Sequence, residues 1–169
     1  MLPWAWLGLA VAVADQGTKT LVESLLAQGE RVDVLPVFAW VHVLNRGAAF
    51  SFLADAAGWQ RWFFAVLALA FSLWILWELT RLGPRDRLLA VAYALVLGGA
   101  LGNLVDRVFV GAVTDFVLVH WGDAYFPAFN LADAAITMGA ALWIGLAVLD
   151  VVAERRARQA GAEVDRRQS

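Results

Sequence analysis

Ionisable side chains stand in or at the edge of long apolar stretches of this sequence, among them Asp15, Lys19, Asp106, Arg107 and Asp133. Asp115 follows a few residues beyond the third stretch. Placing a charge at membrane depth costs at least about 2.5–3.5 kcal/mol on insertion scales, so each such group asks for a partner or a task. Asp115 and Asp133 could do the most chemistry. Asn130 suits a helix N-cap, which puts Asp133 at the third helical position. There the unpaired backbone N–H groups and the helix dipole favour a carboxylate. Asp115, within Val113-Thr114-Asp115-Phe116, has no helix start beside it and would sit in a different field. Two adjacent carboxyls do not both ionise easily, so one keeps a proton. The ionised member can then activate water while the protonated member polarises a carbonyl. That is peptide hydrolysis without a metal or a covalent intermediate. The spacing does not decide whether the two carboxyls meet, and an Asn-x-x-Asp capping pair accounts for Asp133 equally well.

Asp15 and Lys19 are four apart and share a helix face, so they can form an ion pair. Such a pair either neutralises a weak span for insertion or organises a polar site, and the spacing fits both. Gly98 and Gly102 form a small-xxx-small pattern that lets another backbone approach closely. Gly99, Asn103 and Arg107 follow one another by single turns. Packing explains the glycines. It explains an amide, a carboxylate and a guanidinium at 103, 106 and 107 less well.

The elements that must hold these groups are apolar helices. Of 169 residues, 62% are apolar and only 17% charged, against about 45–50% and about 25% for a soluble domain. Lipid is the solvent this composition requires. A crossing helix needs about 20 residues, and the sequence predicts four, at 3–26, 59–79, 88–108 and 131–152. The first is the weakest, interrupted by Asp15, Gln16, Lys19 and Glu23. Ala12-Val13-Ala14 resembles a signal-peptide cleavage site, but no Lys or Arg precedes the apolar run and the helical pattern continues to Leu26. Arg81, Arg85 and Arg87 lie between spans two and three, and five Arg follow span four. Loops 27–58 and 109–130 hold only Arg31 and Arg46. Both termini are therefore expected in the cytoplasm, with the two longer loops outside. Within the first of these, Val32, Val34, Val37, Val41 and Val43 around Pro36 predict a short antiparallel β pair. The expected fold is thus an α-helical membrane protein, a four-helix bundle with a small antiparallel β element in the first outward loop. Residues 1–153 form one membrane-embedded catalytic domain, and 154–169 form a polar Arg-rich tail of frayed or disordered helix.

Five blocks of the sequence together resemble the lipoprotein signal peptidases, the signal peptidase II family, from about Leu7 to Val152. They are Asp15-Gln16-Gly17-Thr18-Lys19, then Asn45-Arg46-Gly47-Ala48-Ala49-Phe50-Ser51, then Gly98 through Arg107. Val113-Thr114-Asp115-Phe116 and Phe129-Asn130-Leu131-Ala132-Asp133 complete the set. The resemblance implies an aspartyl endopeptidase of the bacterial cytoplasmic (inner) membrane with Asp115 and Asp133 as its catalytic dyad. It implies that Asn45, Gly99, Asn103, Arg107, Asn130 and Ala132 line the site and that Asp15 and Lys19 support it. The substrate would be a prolipoprotein, cut at the outer face before its diacylglyceryl-modified lipobox cysteine. The β pair and Asn45 to Ser51 would form a clamp over it.

Other readings carry less. A Ser51–Lys19 mechanism would need Lys19 as a base, and an ammonium paired with Asp15 stays protonated. A proton-linked carrier would also use buried carboxylates, but no internal repeat or broken helix is evident. His42 and His120 lack metal-ligand spacing, so no metal or other cofactor is expected. His42 reads as a surface residue of the strand, and His120 has no evident role. Cys is absent, which removes thiol chemistry, and a net charge of −2 indicates no nucleic-acid partner. Membrane lipid and the lipid-modified substrate are the expected partners of a monomer.

Overall fold

Three helices are long and apolar enough to cross a membrane, at Trp59–Arg81 (α2), Arg87–Phe109 (α3) and the Leu131–Gln159 part of α4. The computed structural model describes residues 2–47 and 58–168, with side chains from 3 to 159 within those limits. α1 (Leu2–Leu25) is long enough to cross but carries Asp15, Gln16, Lys19 and Glu23 through its second half. Its composition therefore does not qualify it as a span on apolar character alone. Ala48 to Ser51, expected in the clamp, and with them the alternative nucleophile Ser51, lie outside the described residues.

α3 is the central helix, packed against α1, α2 and α4. Its glycines explain how. A Cβ at Gly98 would fall 2.5 Å from the Gly8 carbonyl oxygen, and one at Gly102 would fall 2.5 Å from Asp15 Oδ2. A Cβ at Gly99 would overlap the Ala132 carbonyl oxygen of α4 (Leu131–Gln168). One face of α3 is thus stripped to backbone for α1 and the next face for α4. Away from the glycines, Ile75, Leu79, Ala90, Tyr93, Val96 and Leu97 form the apolar core, with Trp74 and Trp143 against it. α2 and α4 turn large apolar side chains outward, among them Trp62, Phe63, Val66, Ile144 and Leu149. This is the surface a lipid-embedded helix presents.

The β element is larger than the sequence suggests. β1 (Arg31–Leu35) and β2 (Phe38–Asn45) form the expected antiparallel pair, turning at Pro36 and Val37. β3 (Val113–Trp121) then adds along the far edge of β2, and β4 (Ala124–Tyr125) closes a hairpin at Gly122. Gly122 has φ +57°, a left-handed conformation that suits such a tight turn. Asp115 therefore lies on a strand, opposite Val43, and not in an irregular loop.

Two further expectations change. His42 is buried, with Nδ1 2.9 Å from the Leu26 carbonyl oxygen just past α1. A register shift between Trp40 and Val43 breaks the in–out alternation, so Val41 and His42 both face inward. The polar stretch from Glu154 continues α4 as helix to Gln168. Its Ala, Glu and Arg are strong helix formers, and Glu154 and Arg158 stand 3.8 Å apart on one face.

Gly99→Ala offers a test of the α3–α4 approach. The new methyl would force the helices apart, and overpacking of this kind costs about 1–3 kcal/mol. Thermal unfolding in detergent should show a lower midpoint, with a larger loss of activity, because Asp133 rides on the displaced turn of α4.

Candidate active site

Asp115 and Asp133 are brought together by a junction that neither helix periodicity nor strand pattern announces. Phe129, one residue before the Asn130 cap, is held against β3 by backbone bonds. Phe116 N and Val117 N donate to Phe129 O at 3.1 and 2.8 Å, and Phe129 N donates to Val117 O at 3.0 Å. This fixes the first turn of α4 beside the middle of β3. The Asn130 side chain then spans the two acids. Its Oδ1 accepts from Asp133 N at 2.9 Å, as an N-cap does, and its Nδ2 donates to Asp115 Oδ1 at 2.7 Å.

Each carboxylate has its own amides. Asn45, at the end of β2, donates to Asp115 Oδ2 at 3.0 Å, while its Oδ1 accepts from Gly47 N at 2.8 Å. That second bond fixes which end of the amide faces Asp115. Asn103 of α3 donates to Asp133 Oδ1 at 2.8 Å, and its Oδ1 accepts from Asn130 at 3.2 Å and from Lys19 Nζ at 3.0 Å. Asp115 is 2% exposed, whereas Asp133 is only partly covered. Burial pushes the Asp115 carboxyl up to about 7. Asp133 adds to the rise, while the Asn45 and Asn130 amides and Lys19 oppose it. The two acids thus occupy unlike environments, one dry and one open at a helix N-terminus.

Behind them lies a closed ionic network. Lys19 Nζ contacts both Asp15 Oδ2 and Asp106 Oδ2 at 2.7 Å. Asp15 Oδ1 also accepts from Ala132 N at 2.9 Å, so α1 reaches across to the first turn of α4. Gln16 adds a 2.7 Å bond to Asp106 Oδ1. Asp106 Oδ2 accepts from Thr114 N at 3.2 Å, which ties α3 to the start of β3. The Lys19 ammonium is therefore fully engaged, which leaves it no role as a free base.

Arg107 stands apart from the dyad's hydrogen bonds. Its guanidinium donates to Asn103 O at 3.1 Å and lies 5.5 Å from the centre of the Phe64 ring. With Asp133 and Asn103 it forms the polar wall of a groove of about 470 Å³. Phe64, Leu67 and Phe71 of α2 form the apolar wall opposite. The structure thus gathers Asp15, Lys19, Asn45, Asn103, Asn130, Ala132, Asp115 and Asp133 in one cluster, with Arg107 on its groove side and Gly99 at the α3–α4 contact beside Ala132.

Several contributing residues escaped the sequence reading of the site. Asp106, Gln16 and Thr114 complete the network, and their place inside the matched blocks is the available signal. Arg61 of α2 donates to Arg107 O at 2.5 Å and to Val108 O at 2.6 Å, capping the carbonyl end of α3. Nothing in its local sequence suggests that task. His120 stacks on Tyr125 and lies 3.2 Å from Arg31 at the far sheet edge, away from the dyad.

The model of the family described as signal peptidase (SPase) II matches residues 7–149. The chain belongs to the signal peptidase II family. It is therefore a protease, and its apolar helices make it a membrane protein. A lipoprotein signal peptidase of Ectopseudomonas mendocina is 56% identical over 143 residues, covering 83% of this chain and 85% of that protein. The lipoprotein signal peptidase of Pseudomonas aeruginosa strain PAO1 is 52% identical over the same length, with the same coverage. A solved bacterial membrane enzyme superposes with a TM-score of 0.78 at 27% identity, over 89% of this chain and 90% of its own. All five sequence blocks fall within the matched region.

Proposed function

We propose that this chain removes signal peptides from prolipoproteins as an aspartyl endopeptidase, with Asp115 and Asp133 as its dyad. One observation carries the reading: Asn130 binds the Asp115 carboxylate and the Asp133 backbone N–H at once, while Asp115 is buried and Asp133 stays partly open. Below about pH 7 the dry Asp115 retains a proton and donates it toward the scissile carbonyl. Asp133, in the field of the α4 N-terminus, accepts a proton from the attacking water. The tetrahedral intermediate then collapses, and the leaving amine takes a proton from the dyad. Asn45, Asn103 and Asn130 hold the acids in position, and the Asp15–Lys19–Asp106 network holds the helices that carry them.

The groove supports the choice of substrate. An apolar wall on α2 faces Asn103, Arg107 and Asp133, so acyl chains lie along α2 while the peptide meets the polar side. Cleavage falls before the diacylglyceryl-modified lipobox cysteine. α1 joins the other three helices as a fourth span, because Lys19, Asp15 and Asp106 neutralise one another inside the bundle. Both termini lie in the cytoplasm of a bacterial cell, a reading supported by the Arg clusters after α2 and along the end of α4. The dyad then sits at the outer face of the inner membrane, under the β sheet. The helices are one catalytic unit over 1–153, with the polar end of α4 outside it, and the chain acts as a monomer.

The test is cleavage in detergent of a diacylglyceryl-modified prolipoprotein and its unlipidated twin. Wild type should cut only the lipidated form, and Asp115→Asn and Asp133→Asn should cut neither. Activity retained in either variant removes the dyad, and equal cleavage of both substrates removes the lipid requirement.

A further inference from the structure

At the end of the bundle where α2 turns into α3, a cleft of about 280 Å³ separates that turn from α4. It lies at the opposite end of α3 from Arg107 and the dyad. Arg85 and Asp86 stand on one side and Asp150 on the other, with Leu89 and Trp143 between them. Trp143 is fixed by its packing on Trp74 and Tyr93, at ring separations of 5.7 and 5.4 Å. Asp86 is occupied in part by the turn, accepting from Gly83 N at 2.8 Å.

Asp150 and Arg85 have no such partner. Among the described residues neither forms a hydrogen bond or an ion pair, although both face the same cleft. Asp150 is exposed near the polar end of the membrane part of α4, four residues before Glu154, and Val148, Leu149, Val151 and Val152 around it are exposed as well. With no partner on the protein, it is open to a counter-charge at headgroup level. An anion alone would satisfy Arg85 and repel Asp150, and a cation alone would do the reverse. A molecule carrying both charges a few ångströms apart satisfies both.

The geometry points to a binding site for a phospholipid whose headgroup carries a phosphate and a primary ammonium. Arg85 takes the phosphate, and Asp150, helped by Asp86, takes the ammonium. The glycerol and upper acyl carbons lie against Leu89 and Trp143. The lipid belongs to the leaflet at the α2–α3 turn. It is therefore distinct from any substrate held in the groove beside Asp133.

Native mass spectrometry of the full-length protein in detergent tests this, titrated separately with phosphatidylethanolamine and phosphatidylglycerol. Wild type should retain phosphatidylethanolamine up to about fivefold more tightly, the effect of one solvent-exposed ion pair with Asp150. Asp150→Asn should remove that preference, and Arg85→Gln should weaken both lipids. Peptidase activity in lipid-free detergent, unchanged in both variants, would show that they are folded. Equal retention of the two lipids by wild type would overturn the site without any variant. So would a preference that survives Asp150→Asn, or a lipid-free dimer filling the cleft.

Discussion

Asp115→Asn is expected to lower turnover by roughly a hundred- to ten-thousandfold, the usual contribution of a positioned acid or base. Folded protein should still be recovered. The Asn45 and Asn130 amides both present N–H groups to Asp115, and an amide offers them only one oxygen. That mismatch costs some stability, while removal of a buried acid returns some. The pH dependence separates the two effects. Burial raises Asp115 from 3.8 to about 7, so between these values the folded state holds a proton that the unfolded chain has released. Its contribution to stability is complete below about 3.8 and is lost as the pH rises through about 7. A catalytic role for that proton has the same sign, with kcat falling as the pH climbs past 7. In wild type the unfolding midpoint should therefore fall with pH up to about 7 and then level off, while the rate holds until near 7 and then falls. In Asp115→Asn the stability slope should flatten. A flat wild-type rate profile through pH 7 would mean that the Asp115 proton takes no part in turnover.

Lys19→Met is expected to be the most damaging change to the fold. It leaves Asp15, 0% exposed, and Asp106, 4% exposed, facing each other without a cation. Breaking a buried pair by removing one partner costs about 3–5 kcal/mol, a large share of the roughly 5–15 kcal/mol that holds a domain together. At about 2–4 °C per kcal/mol for a chain of this size, the midpoint should drop by roughly 10 °C or more. Asp15→Asn should do less harm. The amide oxygen can still accept from Ala132 N, and Lys19 keeps Asp106. Tryptophan-monitored unfolding in detergent gives the comparison. Equal midpoints for Lys19→Met and wild type would show that the network contributes little to stability.

Much of the architecture was legible because lipid and strand pairing each impose a simple period. Long apolar runs marked α2, α3 and the membrane part of α4, and near-alternating valines around Pro36 marked β1 and β2. β3 was missed, although Val113 to Trp121 is rich in β-branched and aromatic residues. Its partner β2 lies about 70 residues away, too far for any local pattern to announce the pairing. His42 was misread because alternation assumes an unbroken ladder, and the shift after Trp40 breaks it. Asp106 was noticed as a charge but not as the second partner of Lys19, because that contact joins two helices.

By itself, the sequence determined which groups are anomalous: acids, amides and one lysine in an apolar chain, in blocks that match a peptidase family. A charge in lipid is costly wherever it stands, so composition alone exposes it. The tertiary structure decided which of those groups meet. Asp115 faces Asp133 because Phe129 pairs with β3, and Asn130 can bridge them because Asn103 and Thr114 hold its amide from either side. Those contacts join residues 12 to 30 positions apart, and the Asp15–Ala132 contact spans 117. No local period encodes such separations. They exist only once α3, stripped to glycine on two faces, has drawn α1 and α4 together.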